Sequence, residues 1–64
     1  MNIGLLDVVQ LKDGRSGTVV EVFSDAFMVE IADEDGVMQD LPIVKEQDVV
    51  RVIWRFGDKG DGSK

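Results

Sequence analysis

The sequence predicts an all-β chain curled into a small five-stranded barrel, with a single helical turn before the last strand. Three observations carry this. Five short segments rich in β-branched residues, Asp7 to Lys12, Gly17 to Phe23, Ala26 to Ala32, Val37 to Leu41 and Val49 to Trp54, are separated almost throughout by turn residues. Apolar positions within them alternate with a period of two, and no window supports a helix of three turns. With only 64 residues, five short strands enclose a core only by closing on themselves.

The first segment ends at Asp13-Gly14, a turn dipeptide that leads into the second. In the second, Thr18, Val20 and Val22 share one face while Val19, Glu21 and Phe23 share the other. Ser24-Asp25 as a two-residue turn sets Val22 opposite Phe27 and Val20 opposite Val29, apolar pairs on one face. Glu34-Asp35-Gly36 reads as a three-residue hairpin loop, with glycine at the position that wants a left-handed residue. Val29 then faces Leu41, and Glu30 stands against Asp40, two like charges across the ladder. Pro42 ends that ladder, and Val44 to Asp48 form one helical turn before the final strand, in which Val50, Val52 and Trp54 point inward. The expected core is therefore Val9, Leu11, Val20, Val22, Phe27, Val29, Ile31, Leu41, Val50 and Val52.

Composition narrows the function more than it names it. A chain this short buries only about 60% of the surface its unfolded form exposes, so the core holds alone or borrows surface from a partner chain. There is no cysteine for a disulfide and no histidine, so no Cys/His zinc set exists. The formal charge is −6, from 13 acidic against 7 basic residues, which disfavours phosphate backbones and anionic membranes and favours a positive partner. The first residues lack a basic start and reach Asp7 too soon for a signal-peptide apolar region, and no apolar run is long enough to span a bilayer. Cytoplasmic residence is the expectation. Residues 1–56 read as the barrel domain, and 57–64, rich in Gly, Asp and Lys, as a flexible tail.

The order of strands and turns resembles that of an SH3-like barrel. Asp7-Val8-Val9-Gln10-Leu11 and Gly17-Thr18-Val19-Val20-Glu21-Val22 also look like the paired strands of KOW-type barrels. More narrowly, Leu5-Leu6-Asp7-Val8-Val9, Gly14 to Val22 and Phe27 to Gly36 resemble a family of small bacterial stand-alone SH3-like proteins of unknown function, over roughly residues 5 to 53. The chain departs from that family in a shorter first connection, Asp13 to Ser16, and in the added segment from Arg55 to Lys64. The resemblance implies a fold and a bacterial source and carries no catalytic residue. The KOW likeness implies RNA or ribosome contact, but Lys12 and Arg15 are the only basic residues before Lys45, too few for a basic stripe.

Reactive chemistry has little to work with. Ser16, Ser24, Ser63 and Thr18 have no histidine to serve as their base, so no catalytic residue is assigned. Asp33-Glu34-Asp35-Gly36 fails calcium-loop spacing: with Gly36 at position six, positions one and twelve fall on Ile31 and Pro42. No metal or cofactor is expected. Trp54 reads into the core by parity with Val50 and Val52, or else stands with Phe56 at a partner surface; Phe56 has no inward place and is the better exposed contact. The sequence thus predicts a non-enzymatic protein-binding or assembly module. The alternatives are an accessory or immunity-type partner of an enzyme or toxin, and a KOW-like RNA contact module. Its expected partner surface, for another protein or a second copy, is Val19, Glu21, Phe23, Met28, Glu30, Met38, Asp40 and Phe56, where a basic side chain from another chain would relieve the Glu30 and Asp40 repulsion.

Overall fold

The computed structural model describes residues 2–57, and all five expected strands are present. They are β1 (Val8–Leu11), β2 (Ser16–Val22), β3 (Phe27–Ala32), β4 (Met38–Asp40) and, after a further two-residue strand β5 (Ile43–Val44) and a 3₁₀ turn at Glu46–Asp48, β6 (Val49–Trp54). The sheet is antiparallel with order β4-β3-β2-β1-β6, and β5 pairs with β3. Six strands replace the expected five because Pro42 interrupts the edge: β4 covers Ile31 and Ala32, β5 covers Phe27 and Met28, and between them Val29 N donates to Pro42 O at 2.9 Å. Among the described residues no ladder joins β6 to β4 or β5, so the sheet is open at both edges. The expected tail, apart from Gly57, lies outside the described residues.

Local chemistry closes the turns as anticipated. Phe23 N donates to Ala26 O across Ser24-Asp25 at 2.8 Å. Gly36 adopts φ +84° in the second hairpin, where the Asp33 carboxylate accepts from the amides of Asp35 (2.9 Å) and Val37 (3.0 Å). Before β6, the Asp48 carboxylate accepts from Lys45 N at 2.9 Å and closes the helical turn.

Four register shifts then alter which residues face inward, one between β2 and β3, two between β1 and β6 and one between β3 and β4. Along β2 and β3, Val22 pairs with Phe27 and Glu21 with Met28, but Val19, not Val20, meets Val29, so Val20 is the extra residue. Val19 is consequently buried completely, whereas Val20 is half-buried and Val22 is 44% exposed. Along β6, Val8 pairs with Trp54 and Val9 with Val52, then Gln10 with Arg51 and Leu11 with Val49, leaving Ile53 and Val50 extra. Val49 is thereby buried, Val50 is 52% exposed, and Trp54 comes to lie opposite Val8 and out of the core. Along β4, Ala32 meets Met38 but Ile31 meets Asp40, so Gln39 is extra and Leu41 is 41% exposed.

The core is therefore Val9, Leu11, Val19, Val29, Ile31, Val44 and Val49, with Ile3, Phe27 and Val52 packed against it. Val20, Val22, Leu41 and Val50 of the expected core stand outside it. Gly17 is where the sheet is tightest: a β-carbon there would sit 2.5 Å from Glu30 O and 2.7 Å from Val29 Cγ1.

Candidate interaction surface

Because side chains alternate across a strand, the cross-strand partners also define the face opposite the core. One row runs Trp54, Val8, Thr18, Glu30 from β6 to β3, a second Arg51, Gln10, Ser16, and a third Glu21, Met28, Ile43. Apolar groups therefore sit at both ends of the face, Trp54 with Val8 and Met28 with Ile43, while charge is sorted between them. Arg51 lies on the β6 side; its Nε donates to Gln10 Oε1 at 2.9 Å, which lays the guanidinium across β1. Glu21 and Glu30 lie on the β2–β3 side. None of these three makes an ion pair among the described residues.

The sequence-predicted surface is thus brought together in part. Glu21, Met28 and Glu30 share this face, and Met38 extends it beside Ala32. Val19 does not belong to it, because the bulge at Val20 turns Val19 into the core. Phe23 is exposed beyond the end of β2 in the first hairpin. Phe56 is exposed past the end of β6, its ring 6.1 Å from that of Trp54 in an edge-on arrangement, so the pairing of Trp54 with Phe56 away from the core is the geometry found.

Asp40 has a different role from the one expected. It opposes Ile31 and not Glu30, and Arg15 answers its charge from within the chain: Nη1 reaches Asp40 Oδ2 at 3.0 Å while Nη2 and Nε reach Asp13 Oδ2, each at 2.9 Å. Hydrogen bonding to Arg15 holds both carboxyls below the ordinary aspartate value and raises the guanidinium further. No outside cation is needed there. Val8, Arg51 and Ile43 stand outside the expected surface, and Trp54 was placed there only as the alternative to a core position. Val8 was readable as the outward neighbour of inward Val9, and Trp54 from its pairing with Phe56, whereas nothing in the sequence around Pro42 marked Ile43.

A cleft of about 350 Å³ lies at the end of the sheet, between Asn2, Gly4, Leu5 and Phe56. Its polar groups are spent on the fold. Buried Asp7 accepts from Gly4 N at 2.9 Å and Phe56 N at 3.0 Å, with Arg55 Nη1 at 3.8 Å, and Arg55 donates to Asn2 O at 2.6 Å. This clasp ties the start of the chain to the end of β6 and holds Leu6 at φ +70°. At the opposite hairpin, the Asp33 carboxylate is likewise engaged by backbone amides and by Gln39 Nε2 at 3.1 Å.

Comparison with protein-family models, curated proteins and solved structures found no match. Among the described residues no helix is long and apolar enough to cross a membrane.

Proposed function

We propose that the protein is a cytoplasmic, non-enzymatic protein-binding or assembly module, built as an SH3-like barrel. The strand order supports the architecture, since a four-strand meander with the last strand returning beside the first is the arrangement such a barrel requires. The observation that carries the function is the outer face: apolar Trp54, Val8, Met28 and Ile43 interleaved with Arg51, Glu21 and Glu30, which have no ionic partner among the described residues. Apolar area set beside uncompensated charge is the composition of a contact surface. The acid excess favours an accessory or immunity-type role as the second reading, with a basic enzyme or toxin as partner. RNA contact draws no support from a face that carries two carboxylates and one arginine.

The test compares the tagged parent with a Met28→Lys, Trp54→Ser double variant, after melting both to establish that they fold. The parent should be recovered in a complex of fixed stoichiometry, with itself or with a protein from its native cells, and the variant should not. A parent that is monomeric and captures nothing overturns the proposal.

A further inference from the structure

We infer that the outer face docks against the same face of a second copy of this chain. The inference rests on the reading of that face as a contact surface and names its occupant. Two features direct the choice. First, the face carries opposite charges at opposite sides, Arg51 on β6 and Glu30 on β3, and neither is neutralised by another described residue. A surface with separated, unanswered charges of both signs is complementary to itself under a two-fold rotation. Second, both sheet edges are closed to strand addition: β6 by its two bulges and Arg51, the other edge by its short strands and Pro42. Association by edge pairing is blocked, so apolar area is buried through a face.

The geometry is that of two stacked sheets. A two-fold axis running along the strands, between β1 and β2 and midway between the copies, lays β6 of each over β3 of the other at a separation of about 10 Å. Trp54 then covers Glu30 and its neighbour Met28 in the second copy, where indole and thioether make a favourable contact. Arg51 lies one residue pair further along the strands, about 7 Å, a span its side chain crosses to reach Glu30 of the second copy once it swings away from Gln10. The contact occurs twice. A core whose largest completely buried side chains among the described residues are Val9, Val19 and Val29 gains a second apolar layer.

Charge reversal distinguishes this arrangement from any other. Sedimentation equilibrium from micromolar to millimolar concentration should give the parent twice the 7.1 kDa chain mass at the upper end. Arg51→Glu and Glu30→Arg should each weaken association by roughly tenfold or more, since each places like charges at both contacts. Mixed in equal amounts, the two variants should recover parental association, because the mixed pair restores both contacts. Circular dichroism melts verify folding, and Arg51→Gln with Glu30→Gln provide milder substitutes should a reversal fail to fold; each should weaken association to a smaller extent. A parent that remains at 7.1 kDa, reversal variants that associate like the parent, or a mixture that fails to recover would each overturn the inference. A monomeric parent that captures a foreign protein would sink this inference alone and leave the wider reading standing.

Discussion

Gly17→Ala reverses the usual sign of a glycine replacement. In a strand, alanine for glycine ordinarily gains about 0.5–1 kcal/mol, because the unfolded chain loses freedom and no contact is sacrificed. At Gly17 the new methyl would lie 2.5 Å from Glu30 O and 2.7 Å from Val29 Cγ1, whereas carbon contacts open at about 3.5 Å. The β3 backbone would have to retreat by about 1 Å, and it cannot do so alone, since Thr18 pairs with Glu30 and Val19 with Val29 immediately beside the clash. Overpacking of this kind costs about 1–3 kcal/mol, and strained ladder hydrogen bonds add about 1 kcal/mol. Less the ordinary gain, a net loss of about 1–3 kcal/mol stands against a total of roughly 3–9 kcal/mol for a chain of this length. Urea unfolding followed by Trp54, the sole tryptophan, should show the midpoint falling by about 1–3 M, given a slope near 1 kcal/mol/M. Gly57→Ala, where a β-carbon meets nothing within 4 Å, is the control. A Gly17→Ala midpoint at or above that of the parent would refute the close approach and the packing built on it.

The bulge at Val20 is tested by a pair: Val19→Ala should cost about 2 kcal/mol and Val22→Ala under 1 kcal/mol by thermal melts, whereas an unbroken ladder would reverse that order. Asp7→Asn keeps the shape of the clasp but replaces one acceptor oxygen with a donor facing the Gly4 or Phe56 amide, so stability should fall by about 1–3 kcal/mol; an unchanged urea midpoint would remove the clasp from the account. Arg15→Gln should move the Asp13 and Asp40 carboxyls up toward ordinary values in an NMR titration. Because the folded-state values are depressed, the stability these groups contribute is present at neutral pH and is lost as pH falls below about 3.8 and through the folded-state values, so the acid limb of the stability curve should flatten in the variant.

The five main strands, both hairpin loops and the helical turn were legible because each is marked locally, by β-branched runs, by Ser24-Asp25, by the position of Gly36 and by Pro42. The inward set was legible only where an alternating pattern offers one solution. Val9 and Leu11 flank polar Gln10, and Val29 and Ile31 flank Glu30, so their parity is unambiguous. Val19-Val20 and Val49-Val50 are apolar at both positions, so either parity satisfies the hydrophobic effect and an inserted bulge leaves no trace in the residue pattern. That ambiguity misplaced Val19 on the contact surface and Trp54 in the core. The Glu30 and Asp40 conflict, inferred from an unbroken ladder, disappears with the bulge at Gln39, while the uncompensated state of Glu30 persists for a different reason.

The most direct test of the outer face as a contact surface is solvent paramagnetic relaxation of its side chains as a function of concentration. With a soluble nitroxide present, the methyl of Met28 and the indole of Trp54 should become markedly less accessible as concentration rises, while the methyls of Val37, exposed beside the second hairpin, should not change. Equal accessibility of Met28 and Trp54 at every concentration would contradict the account.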